Sequence, residues 1–142
     1  MEKRTILLVS GALLSAEGKL LLLRRKSGQW ELPGGELDFG EVPELGLIRI
    51  YAEVCGVDIS LDRPLGAWST VESEDGVQKH LVHLDYTVRS AGAFTGVDVD
   101  FEAYAGFAWL TEAEAAEKIQ EAPVRAAVAR AFALLTRTRK NG

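Results

Sequence analysis

Apolar positions change their spacing several times along the chain, and each change marks a predicted element. Ile6-Leu7-Leu8-Val9, continued by Gly11-Ala12-Leu13-Leu14, is one apolar run, and residues 19–25 are a second. Ser15-Ala16-Glu17-Gly18 separates them, so the pair predicts a β-hairpin. In Trp30-Glu31-Leu32-Pro33-Gly34-Gly35 the proline and paired glycines impose irregular backbone. Residues 41–54 read as a helix, with Pro43 in the first turn and Gly56 at the exit. Strands are expected around 57–59 and 67–71, and the Glu74-Asp75-Gly76 turn leads into another over 78–89. Residues 90–100 read as a loop and 104–110 as a final strand. Thr111 with Glu114 predicts a capping box opening a short helix. Pro123 opens a longer helix, where Val124, Val128, Ala131 and Leu135 recur at helical spacing. Arg137, Arg139 and Lys140 at its end suit the helix dipole.

Strands interleaved with a few helices predict an α/β or α+β fold, a mixed sheet covered by helices, in a single domain spanning residues 1–142. Within 78–89, Val82, Leu84, Tyr86 and Val88 share one face, and His83, Asp85, Thr87 and Arg89 the other. That polar face reads equally as a cleft wall or as a solvated surface. His80 and His83 fall on opposite faces and cannot chelate one metal.

Composition narrows the partners. Lys and Arg number 16 against 21 Asp and Glu, a formal charge of -5, which disfavours a nucleic-acid partner. A single cysteine, Cys55, excludes an intramolecular disulfide and suits a reducing compartment, so a cytoplasmic location is expected. Lys3-Arg4 before the first apolar run has the parts of a signal peptide, but Leu14 stands where a small residue is wanted for a cut after Ala16, and the strand reading is preferred. Glu17 and Lys19 interrupt the apolar run before it could span a membrane.

The segment from Gly34 to Val57 carries the chemistry. Gly35 is followed after five residues by Glu41, and after seven more by Arg49; Tyr51, Glu53, Gly56 and Val57 then complete a spaced pattern. This pattern resembles the signature of the Nudix family, hydrolases of nucleoside diphosphates linked to another group that use Mg²⁺ or Mn²⁺. The flanks agree: residues 20–25 followed by Trp30-Glu31-Leu32-Pro33-Gly34-Gly35 look like that family's strand-and-loop entry, and Phe107-Ala108-Trp109-Leu110 before the capped helix is similar to its closing section. The resemblance implies a mixed β-sheet sandwiched between helices. It also implies catalytic roles for Glu53, Glu41 and Arg49, and metal contacts from Glu53, the Gly34 carbonyl and Glu102. A nucleotide-type diphosphate would be the small-molecule partner. Arg25, with Arg24 and Lys26, would suit a phosphate, although these residues read equally as edge-strand cations; Asp85 is a second candidate for substrate binding.

At two positions the chain departs from the pattern, with Ile50 and Val54 where the family has glutamates. Residues 50, 53 and 54 share one helix face, and three carboxylates there would hold hard divalent cations through oxygen. Such cations neutralise the diphosphate and orient the attacking water. Without two of those ligands, weak metal binding and a rate about 10³–10⁵-fold lower are expected. Ile48, Tyr51, Ala52 and Cys55 form one apolar stripe, read as the core face, and Leu47, Ile50 and Val54 form another. The second stripe is read first as a hydrophobic filling of the former metal site; a pocket wall or a homodimer face is the alternative. Three functions follow: a hydrolase of weak or rerouted activity, a silent nucleotide-binding module, and a protein-interaction domain.

Overall fold

The computed structural model describes residues 1–141, with side chains described through Thr136. Its elements are strands β1 (Glu2–Leu13), β2 (Leu20–Arg25), β3 (Trp30–Glu31) and β4 (Gly34–Glu36), helix α1 (Pro43–Cys55), strands β5 (Ile59–Glu74), β6 (Val77–Ser90) and β7 (Tyr104–Leu110), and helices α2 (Glu112–Lys118) and α3 (Ala122–Asn141). Two sheets form, one in the order β4-β1-β6-β5 and the other β3-β2-β7. In the first, β1 runs parallel to β6 and antiparallel to β4, so the sheet is mixed as expected. The dipole assignment for Arg137, Arg139 and Lys140 falls outside the described side chains.

β2 explains why both sheets are covered. Leu21 and Leu23 enter a core with Val9, Leu47 and Tyr51, whereas Leu20 and Leu22 enter a second core with Ala131 and Phe132. A run of four leucines buried on alternating sides needs packed layers on both faces. Helix α1 lies close over β1 because Gly11 has no side chain: a Cβ there would stand 3.0 Å from Tyr51 and Val88. The Tyr51 hydroxyl donates to the Gly11 carbonyl at 3.0 Å, which fixes that crossing.

Several expectations are met in detail. Pro43 opens α1, and Gly56 closes it in the left-handed conformation at φ 65°. Thr111 and Glu114 form a complete capping box. Asp75 and Gly76 both take positive φ, which matches the twist of the β5–β6 hairpin they join.

The hairpin predicted for the first two strands is corrected. The turn forms, with the Ser15 amide donating to the Lys19 carbonyl at 2.7 Å, but pairing stops at a single Leu14–Leu20 bridge. β4 and β6 take the two edges of β1, so β2 crosses into the second sheet. The strand predicted at 67–71 is present, but the separate one at 57–59 is corrected, since both belong to one element. Val57 lies outside any strand, and β5 runs unbroken through Pro64 and Gly66, whose irregularities are absorbed as register shifts on an edge strand.

Candidate functional site

β4, the following loop and α1 bring the spaced residues together around one guanidinium. Arg49 grips Glu41 with two donors, Nε to Oε2 at 2.8 Å and Nη2 to Oε1 at 2.9 Å. Its Nη1 donates to Glu53 Oε2 at 3.1 Å, and its Nη2 to the Glu36 carbonyl at 3.4 Å. Glu41 Oε1 also accepts from the Asp38 amide at 3.0 Å. Hydrogen bonds from Arg49, then from that amide, hold the Glu41 carboxyl down at about 2. Glu41 therefore stays ionised and pins the loop to the helix.

On the same helix the face at positions 50 and 54 is closed. Ile50 is 3% exposed, and its Cγ2 lies 3.2 Å from where a Gly35 Cβ would stand. Leu47 is fully buried, and Val54 packs against the same core. The stripe is therefore interior, which removes it as a dimer face. The stripe read as core divides instead: Tyr51 and Cys55 are buried, whereas Ile48 and Ala52 reach the surface.

Among the described residues, no group of three or more His, Cys, Asp or Glu side chains is placed to hold a metal ion. Glu53 is exposed and already paired with Arg49. Glu102 is exposed just before β7, its amide donating to Asp100 Oδ1 at 3.0 Å. The Gly34 carbonyl receives the Tyr104 hydroxyl at 3.5 Å, and a Cβ on Gly34 would collide with the Val9 carbonyl. Hard divalent ions need several oxygen ligands, so this donor set does not fit a tightly held metal.

In the second sheet, Arg25 Nε meets Glu31 Oε1 at 2.6 Å. Burial raises the Glu31 carboxyl, with Arg25 opposing that shift. Burial, then Glu31, pushes the Tyr104 hydroxyl up to about 12. Asp85 is 3% exposed, and both its oxygens are taken within the chain: Ser10 Oγ donates to Oδ1 at 2.5 Å, and Trp68 Nε1 to Oδ2 at 2.9 Å. Trp68 in turn stacks on His83, centroids 3.6 Å apart and planes 4° apart. Burial lowers the His83 imidazole, so it favours the neutral form.

Sequence reasoning missed the Arg25–Glu31–Tyr104 group and the Ser10–Asp85–Trp68 network. For Glu31 a signal existed, an acid two residues before a proline–glycine turn. Asp85 was singled out, but for its pairing with Ser10 no signal existed, because the two are neighbours in a parallel ladder 75 positions apart in sequence.

Residues 5–132 match the NUDIX domain. A MutT-like protein of Streptomyces ambofaciens is 31% identical over 114 residues, which cover 80% of this chain and 68% of that protein. An 8-oxo-dGTP diphosphatase of Proteus vulgaris is 29% identical over 65 residues, 42% of this chain and 58% of that one. The solved MutT protein of Methanosarcina mazei Go1 superposes with a TM-score of 0.72 at 21% identity, covering 99% of this chain and 98% of that chain.

Proposed function

The chain belongs to the Nudix hydrolase family, and from that premise we propose that it binds a small nucleotide-type diphosphate and hydrolyses it weakly. The family's chemistry is phosphoanhydride cleavage assisted by a divalent metal. Here the groups left to meet Mg²⁺ or Mn²⁺ are Glu53, the Gly34 carbonyl and Glu102, and binding is weak. The observation that carries the reading is Ile50, buried against Gly35 where the family's helix presents a carboxylate.

Glu41 and Arg49 hold the loop and helix in place, and Glu53 is the remaining carboxylate of the metal-facing set. Arg25 supplies positive charge to the phosphates. Asp85 acts on the substrate through what it positions, since Ser10 and Trp68 occupy both its oxygens. The alternative is a nucleotide-binding module with no turnover. A cytoplasmic setting is consistent with the lone buried thiol, which burial pushes up to about 12. Among the described residues no helix is long and apolar enough to cross a membrane.

The test compares the wild type, Glu53→Gln and Ile50→Glu/Val54→Glu. Mg²⁺ and Mn²⁺ are titrated by calorimetry, and hydrolysis is screened on nucleoside triphosphates, dinucleoside polyphosphates and nucleotide sugars. The expected result is slow metal-dependent turnover that Glu53→Gln abolishes and the double substitution raises if it folds. Robust wild-type turnover with tight metal binding would overturn the proposal. Nucleotide binding without turnover would support the module instead.

A further inference from the structure

A cavity of about 900 Å³ lies outside the Gly34–Val57 segment, where the C-terminal ends of β1 and β6 part from β7. Leu13, Val88, Trp109 and Leu135 wall it, and none of its lining residues falls between 34 and 57. Phe94, nearly half exposed, meets Trp109 edge to face at 5.9 Å and 84°. The loop that carries Phe94 is shaped by Gly92 at φ 78° and Gly96 at φ 116°, on either side of it. Small-molecule sites fall in this size range, apolar within and with a few polar groups at fixed places.

Charge at the rim is uneven. Glu17, Lys19, Asp62 and Arg89 border the cavity. Asp62 is engaged from three sides: Arg89 Nη2 at 3.1 Å, Thr87 Oγ1 at 3.1 Å and Arg63 Nε at 3.7 Å. Its charge is thereby compensated, while Arg89 keeps two-thirds of its side chain in solvent. Among the described residues, Lys19, Arg89 and Arg63 thus stand against Glu17 and Asp62, a surplus of one positive charge that suits an anion beside an aromatic wall.

We infer that this cavity is a second binding site, separate from the Arg49–Glu41–Glu53 group, for a small aromatic carboxylate. Its ring packs against the Phe94–Trp109 pair, on the cavity side of both rings, and its carboxylate meets Arg89 and Lys19. Ring contacts of this kind favour edge-to-face or offset geometry, and partly desolvated charge pairs add orientation.

The test uses 1-anilinonaphthalene-8-sulfonate as the anionic aromatic probe and N-phenyl-1-naphthylamine as its neutral counterpart, with displacement by 1-naphthoate. One saturable anionic-probe site per chain is expected, displaced by 1-naphthoate and unaffected by Glu53→Gln. Phe94→Ala, at an exposed loop position, is expected to weaken it about tenfold. Arg89→Glu should weaken the anionic probe about fivefold and leave the neutral one within about twofold. Circular dichroism confirms that both variants are folded. Unsaturable binding, equal affinities across the variants, or failure of 1-naphthoate to displace the probe would overturn the inference. So would sedimentation as a dimer that excludes the probe, which would make the cavity an interface between two copies.

Discussion

Ile50→Glu separates a closed apolar face from an idle metal site. The isoleucine is 3% exposed and rests on Gly35. Removing its buried surface costs about 2–3 kcal/mol. Leaving a carboxyl there without partners adds about 1–3 kcal/mol, for a total of about 3–6 kcal/mol. Unfolding a chain of this length carries an entropy of about 0.3 kcal/mol per degree, so the melting temperature should fall by roughly 10–20 °C. The introduced carboxyl would have a folded-state pKa raised by burial. Its penalty is therefore greatest above that raised value and shrinks as pH falls through it towards the unfolded value. Val54 is only partly buried, so Val54→Glu should cost far less. The assay is thermal unfolding by circular dichroism in metal-free buffer, repeated at several pH values for both single variants. A loss below about 1 kcal/mol for Ile50→Glu, with no dependence on pH, would refute the reasoning, because it would mean that the face is open to water.

Arg49→Ala should release the Glu41 carboxyl from about 2 towards its ordinary 4.5. In the wild type this group's contribution is complete above about 4.5 and is lost as pH falls towards about 2, so the variant's acid-unfolding profile should be flatter there. Asp85→Ala strands the Trp68 indole N–H and the Ser10 hydroxyl, and should cost about 2–4 kcal/mol by denaturant titration, with a shift in tryptophan emission. A loss under 1 kcal/mol would mean that water replaces the carboxylate. Gly34→Ala forces a Cβ into the Val9 carbonyl and should separate β4 from β1, seen as faster amide exchange at Leu8–Ser10; unchanged protection would refute that close approach.

Local signals were legible in the sequence wherever a few neighbouring residues settle the structure. Thr111 and Glu114 cap their own helix, Pro43 and Gly56 bound theirs, and Asp75-Gly76 makes its own turn. The partners of a strand are another matter. Ser15–Gly18 specifies a turn, but whether β2 then pairs with β1 depends on β4 and β6 having already taken both edges. At the site, the spacing from Gly35 to Gly56 singled out Arg49, Glu41 and Glu53, but not the grip of Arg49 on Glu41, which depends on how the loop folds back over the helix. The apolar filling of the Leu47–Ile50 face is legible in the stripe, but the surface it packs on is not, since that depends on how closely β4 approaches α1. Asp85 was visible as polar, yet its partners Ser10 and Trp68 lie on two other strands.

The parallel ladder between β1 and β6 also orders events in time. Thr5 pairs with His80 and Leu8 with His83, and that offset of 75 residues holds along the whole ladder from Glu2–Val77 to Leu13–Val88. On the ribosome, the first strand therefore waits for most of the domain to be synthesised before its long edge can be covered. Contacts so distant in sequence make nucleation slow, because the loop must close before the ladder repays it. During that interval only the short β4 can pair with Leu8 and Val9, and the edge of Ile6-Leu7-Leu8-Val9 that β6 will cover stands open, an apolar strand edge prone to aggregation in concentrated refolding.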